Sequence, residues 1–184
     1  KVYFHTMQEN AHGILLKHWG YSKFRPLQED IIKSVIAGKN TIALMPTGGG
    51  KSLCYQVPAL MMDGLCIVVS PLIALMRDQV ENLKKRNIPA IAITSGMNRH
   101  EIDIALDNCI HGKIKFLYLS PERLANDLAR TRISFMNVCL IAIDEAHCIS
   151  QWGFDFRPAY LRIAEIIALK PNVPVLALTA TATK

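Results

Sequence analysis

The 184 residues are 51% hydrophobic and 20% charged, which argues for one compact globular unit with a buried core. A net charge of +6 suits a nucleic-acid partner without establishing one. The odd set of cysteines (Cys54, Cys66, Cys109, Cys139, Cys148) has no C-x-x-C spacing, which disfavours zinc and suggests buried thiols in a reducing intracellular compartment. The longest nearly apolar run, 65–76, is broken at Ser70-Pro71 and is too short to span a bilayer, so no membrane partner is expected.

In chain order, Thr6-Met7-Gln8-Glu9 reads as a capping box opening a helix towards Trp19, with Gly20 as its stop. A second helix is framed by Pro26 and Gly38, and Leu27, Ile31 and Val35 recur on its core face. Gln28 falls in the first turn of that helix, where its amide is expected to point out of the protein. An apolar strand, 41–45, runs into Met45-Pro46-Thr47-Gly48-Gly49-Gly50-Lys51-Ser52 and then a helix that Pro58 should kink. Further apolar strands are predicted at 65–70, 90–94, 115–120, 138–144 and 174–179, separated by helical patterns such as Ile73, Met76, Val80 and Leu83. Strands this apolar read as buried on both faces, so the expected fold is α/β, with a central, mainly parallel sheet flanked by helices. The expectation is a single domain over 1–184, with N-terminal helices at 1–38 and a phosphate-loop core at 39–184.

The stretch at 45–52 carries the first chemistry. Glycines let successive N–H groups curl around phosphate oxygens, Lys51 supplies positive charge to the β/γ-phosphates, and the Ser52 hydroxyl ligates Mg²⁺. The helix behind it adds a dipole that favours an anion. The usual pattern has glycine at the position of Met45, so the turn must be carried by Gly48 and Gly50. Nearly every predicted strand ends on a hydroxyl or a carboxylate, at 46–47, 70, 94–95, 120, 144–145 and 179–181. Any one of these reads as a helix cap, but together they form a polar rim of the kind that binds ligands.

Asp144-Glu145 closes an apolar strand, as in hydrolases where one acid holds Mg²⁺ opposite Ser52 and the next orients the attacking water. No guanine-reading Asn-Lys-x-Asp is present, and nothing suggests a kinase acceptor pocket. Beyond lies Ser150-Gln151-Trp152-Gly153-Phe154-Asp155-Phe156-Arg157-Pro158, whose rings and arginine are suited to stacking on unpaired bases. Lys84-Lys85-Arg86 reads only as a solvated helix end.

Asp144-Glu145-Ala146-His147 followed by Cys148-Ile149-Ser150-Gln151-Trp152-Gly153 closely resembles the RecQ family of superfamily 2 ATP-dependent DNA helicases. So do residues 24–28, 46–55, 69–79 and 178–183, and the Ser-Gln-Trp-Gly loop is not shared by helicases in general. The resemblance implies a RecA-like motor domain in which Tyr21 stacks on adenine, with Arg25 beside it and Gln28 reading the base edge. Thr47, Gly48, Gly49, Gly50, Lys51 and Ser52 would hold ATP, with Mg²⁺ between Ser52 and Asp144. Lys51, Asp144, Glu145 and His147 form the catalytic set, and Thr179 and Thr181 relay the nucleotide state. Ser70, Pro71, Ser120, Arg123, Trp152, Phe156 and Arg157 would meet nucleic acid, single-stranded or duplex DNA.

The resemblance further implies 3′→5′ unwinding, a second RecA-like domain that supplies an arginine finger, and a cytoplasmic, nucleoid or nuclear location. Without that second domain, these residues are expected to turn over little ATP. The rival readings are a nucleotide-gated DNA-binding module without hydrolysis, an RNA helicase and a small-molecule phosphotransferase.

Overall fold

The computed structural model describes residues 2–94, 96–125, 127–149 and 157–180, with 2–10, 125 and 127 described for their backbone alone. Six strands are β1 (Thr41–Leu44), β2 (Leu65–Val69), β3 (Ala90–Ile93), β4 (Phe116–Leu119), β5 (Val138–Ile143) and β6 (Val175–Thr179). They form one sheet in the order β1-β6-β5-β2-β4-β3, and every pairing is parallel. The helices are α1 (Val2–Trp19), α2 (Gln28–Ile36), α3 (Leu53–Met61), α4 (Ile73–Lys84), α5 (Arg99–Ile110), α6 (Asp127–Ser134) and α7 (Ile163–Leu169). The expected α/β fold with helices flanking a parallel sheet is the one observed.

Period-two alternation assigns each strand residue to a face. Along β2, Cys66 and Val68 pack under α2, α3 and α4, while Leu65, Ile67 and Val69 pack against α5, α6 and α7. Steps across the sheet from β1 to β2 and β2 to β3 pass over the first face. The return steps from β3 to β4, β4 to β5 and β5 to β6 pass over the second. Such sorting follows when all crossovers share one hand. A slip between Leu65 and Cys66 leaves Cys139 as an extra residue in β5, so Cys139 and Leu140 both join the first face. All five cysteines are buried, and burial pushes the Cys54 and Cys109 thiols up to about 12.

Three expectations need correction. The first helix begins at Val2, so Thr6 and Glu9 are interior helical positions; a Thr-x-x-Glu pattern marks a start only where the preceding residues leave the helix. Leu27 does not share the core face of the second helix: it precedes α2 in a left-handed conformation (φ +70°) and is 55% exposed. Finally, β1 is an edge strand covered on one face only: Ala43 is buried, whereas Ile42 is 84% and Leu44 52% exposed.

Because the sheet is wholly parallel, the C-terminal ends of all six strands share one rim. β1, β6, β5 and β2 are consecutive neighbours, so residues after Leu44, Thr179, Ile143 and Val69 converge there despite their separation in sequence.

Candidate active site

Past β1 the chain stays tied to the sheet through the Met45 N–H, which donates to the Thr179 carbonyl (3.0 Å). The Met45 side chain is buried in the core beside Cys54, so methionine serves where glycine is usual because this position packs downward. The turn itself falls to Gly48 (φ +76°) and Gly50 (φ +77°), the pair the sequence points to. At Gly50 a side chain is doubly excluded, since a Cβ there would come within 2.4 Å of Gln28 Nε2.

That contact exposes a further correction. Gln28 does not point outward: it is 1% exposed, and its amide donates to the carbonyls of Gly50 (3.0 Å) and Gly49 (3.3 Å). Its Oε1 accepts from the Arg25 backbone N–H (2.8 Å), so every polar atom of this buried amide is engaged. The Arg25 guanidinium donates to the Gly48 carbonyl. Tyr21, 55% exposed, and Arg25 line a cavity of about 450 Å³ together with Gln28, Gly48, Gly50 and Ser52.

A second cavity, of about 320 Å³, shares Gly48, Gly50 and Ser52 with the first and brings Lys51, Ser52, Ser70, Asp144 and Glu145 together. Lys51 Nζ lies 3.3 Å from Glu145 Oε1, both side chains being mostly shielded from solvent. Asp144 continues the β5 ladder through its N–H, which donates to the Val69 carbonyl (2.8 Å). Its Oδ1 accepts from the Glu145 N–H (3.1 Å) and its Oδ2 from the Ser70 hydroxyl (3.4 Å). Burial, and next the charge of Glu145, push the Asp144 carboxyl above its usual range, with Lys51 pulling the other way. Ser52 and Asp144 thus offer a hydroxyl and a carboxylate oxygen, the hard donors that fit Mg²⁺, and the partly buried Asp144 carboxylate gains from a cation.

Glu145 takes φ +50°, a left-handed turn that a non-glycine residue adopts only when its surroundings hold it. Its Oε2 lies 3.4 Å from His147 Nδ1, and the same nitrogen is 3.1 Å from Thr179 Oγ1. The structure therefore brings Glu145, His147 and Thr179 together.

Residues assigned to nucleic acid are placed less uniformly. Ser70 (2% exposed) and Ser120 (6%) are buried, and the Arg123 guanidinium donates to the Thr94 carbonyl (2.6 Å). Pro71 is half-buried, and its carbonyl accepts from the Arg157 guanidinium (3.4 Å). Trp152, Phe156 and Thr181 lie outside the described residues.

Two features were not read from the sequence. Tyr55 and Tyr118 meet through their hydroxyls (3.3 Å) at the floor of the second cavity, and Gln56 bridges Tyr118 (3.3 Å) to Gln79 (3.0 Å). The Tyr160 hydroxyl donates to the backbone carbonyl of Asp144 (3.0 Å). Neither has a spacing signal, because both depend on contacts between elements that only the fold brings together.

A parallel sheet with a glycine loop, a lysine and two acids on one rim defines a phosphate-loop protein of the RecA-like kind. The chain belongs to the DEAD/DEAH box helicase family, which matches residues 25–184. Within that family it carries a helicase domain of the RecQ type. It is 50% identical over 171 residues to the probable ATP-dependent DNA helicase RecS of Bacillus subtilis, covering 92% of this chain and 34% of that one. It is 46% identical over 172 residues to the ATP-dependent DNA helicase RecQ of Haemophilus influenzae, covering 94% of this chain and 28% of that one. The chain thus spans about a third of the length of these curated relatives. Its fold is also that of the Mycobacterium smegmatis helicase Lhr, solved bound to ssDNA and AMP-PNP (TM-score 0.69, 22% identity, 89% of this chain and 23% of that one).

Proposed function

We propose that this chain is the first motor domain of an ATP-dependent DNA helicase, binding and hydrolysing ATP with Mg²⁺ to drive 3′→5′ unwinding together with a second RecA-like domain. The observation that carries the reading is the meeting of Lys51, Ser52, Asp144 and Glu145 around one cavity of about 320 Å³. These residues come from the ends of β1 and β5, which β6 separates in the sheet.

Adenine stacks on the exposed Tyr21 ring beside Arg25, while Gln28 braces the loop. The backbone amides of Gly48, Gly50 and Lys51 receive the phosphates, while that of Gly49 closes the turn onto Pro46. Incoming β/γ-oxygens compete with Glu145 for the Lys51 ammonium and so release the carboxylate to accept a proton from the attacking water. Ser52 and Asp144 would hold Mg²⁺, which supplies positive charge to the phosphoryl group. His147, placed between Glu145 and Thr179, relays the state of the site to the end of β6. The names of the RecS and RecQ relatives support DNA as the substrate, against one relative at 47% identity named a putative ATP-dependent RNA helicase, and 3′→5′ polarity rests on the RecQ resemblance. DNA contact is assigned to the rim segments at Ser70-Pro71, Ser120 and Arg123 and to Trp152, Phe156 and Arg157. Because Ser70 and Ser120 are buried, contact at their segments falls to the exposed backbone and neighbours rather than to the hydroxyls.

Glu145→Gln in the full-length protein tests the reading. ATP binding is expected to persist while single-strand-stimulated hydrolysis falls by about 10²–10⁴. Hydrolysis that survives the substitution would overturn the role of Glu145, and unwinding that survives would favour a gated DNA-binding module.

A further inference from the structure

We propose that Tyr160 is a positioning residue for hydrolysis, holding the peptide that joins Asp144 to Glu145; the proposal rests on the ATPase reading above. β5 ends at Ile143, and at Asp144 the two backbone groups part company. The N–H still pairs with β2 at Val69, whereas the carbonyl accepts from the Tyr160 hydroxyl (3.0 Å). Immediately afterwards the chain swings into the left-handed turn at Glu145. The orientation of this one peptide decides where both acids point: its N–H caps Asp144 Oδ1, and its Cα carries the carboxylate that meets Lys51.

Tyr160 is well built for this task. It is 1% exposed, and its ring belongs to the core cluster that includes Ile143, Cys148 and Ile163. Burial raises its phenol far above neutral pH, so it remains a donor throughout the working range. Its own N–H donates to the Arg157 carbonyl (2.9 Å), and the Arg157 N–H donates to the Cys148 carbonyl (2.9 Å). The Arg157 guanidinium reaches the Pro71 carbonyl, next to Ser70, whose hydroxyl holds the other oxygen of Asp144. A closed circuit results: Asp144 to Tyr160, Arg157, Pro71, Ser70 and back to Asp144. It fastens the acid-bearing end of β5 to the neighbouring end of β2 from outside the sheet ladder. Tyr160 touches no reacting atom and acts only through Glu145 and Asp144.

The test is Tyr160→Phe in the full-length protein, which keeps the ring and its packing. The turnover number at saturating single-stranded DNA is expected to fall by about ten- to a hundred-fold, the scale of a misplaced catalytic group. The KM for ATP and the Kd of a non-hydrolysable analogue are expected to stay within about two-fold, because the loop at 45–52 is untouched. A second arm places the change in a Glu145→Gln background, where the part that acts through Glu145 is already gone and the further fall is expected to be clearly smaller than in the wild-type background. An unchanged turnover number in Tyr160→Phe overturns the proposal, as does an equal loss of analogue binding or an additive fall in the double variant. A wild-type protein that hydrolyses no ATP overturns the ATPase reading itself, and this proposal with it.

Discussion

Between Met45 and Ser52 the chain takes its shape from its own glycines, whereas at Asp144 it takes its shape from partners far along the sequence. Gly48 and Gly50 adopt left-handed conformations that only their lack of a side chain makes easy, and the loop closes locally, Gly49 N–H to the Pro46 carbonyl (3.0 Å). Across the cavity, Glu145 adopts a comparable left-handed turn without glycine's freedom. It is held there by the ladder bond to Val69, the Ser70 hydroxyl and the Tyr160 phenol around Asp144. A phosphate cradle needs many backbone amides at once, which local composition can supply. A pair of acids must be aimed at a particular point, and aiming requires contacts from elsewhere in the fold.

The largest break in this comparison is expected from Gly50→Ala. The left-handed backbone alone costs about 1–2 kcal/mol for a non-glycine residue. The new Cβ, 2.4 Å from Gln28 Nε2, must also expel a buried amide from its partners, a further loss of about 1–3 kcal/mol. Gly48→Ala is the control, with nearly the same φ and nothing within 4 Å of the added carbon, so it is expected to show the first cost alone. Urea unfolding of the two variants measures the difference. Equal losses would mean that Gln28 does not fill the space beside Gly50.

Gln28→Ala comes next. It leaves the Arg25 N–H without its acceptor and removes the amide donor from the Gly49 and Gly50 carbonyls, for an expected loss of about 1–3 kcal/mol. It also sharpens the comparison by showing how much tertiary support even the glycine loop needs. Combined with Gly50→Ala, the losses should be less than additive, because the alanine at 50 then has room. Full additivity in the same unfolding measurement would contradict the close approach.

What the sequence made legible follows the same division. Gly48, Gly50, Lys51 and Ser52 could be read because a glycine loop between an apolar strand and a helix is a local pattern. The six strands could be read because a buried parallel sheet demands continuous apolar runs. The inward turn of Gln28 could not, since its position in the first turn of α2 fits either direction and only the packed loop decides. The burial of Ser70 and Ser120 was hidden in the same way, because a serine at a strand end looks alike whether it caps a helix, meets a ligand or bonds a carboxylate. The exposure of Ile42 was hidden by topology: β1 is as apolar as the inner strands, and only the strand order makes it an edge.

The smallest expected change has the opposite sign. Asp144 is partly buried beside Glu145, and its carboxyl is raised above the ordinary value of 3.8. Between 3.8 and that raised value the folded protein keeps a proton that the unfolded chain has released. Stability contributed by this group therefore falls as pH rises through the window, and above it the full penalty of a buried charge remains. Asp144→Asn removes that penalty while its amide oxygen can still accept from the Glu145 N–H or the Ser70 hydroxyl. The variant is thus expected to unfold at a slightly higher temperature than the wild-type chain at neutral pH, even though, on the function proposed above, it would give up a ligand for Mg²⁺. The gap should narrow on acidification and close below the ordinary carboxylate range, where both proteins are neutral at this position. Thermal unfolding of the two proteins across this pH range measures it. A variant that is less stable at neutral pH would mean that Lys51 and the local hydrogen bonds already offset the burial of Asp144, and the strain assigned to the acid end of the site would have to be found in the Glu145 backbone alone.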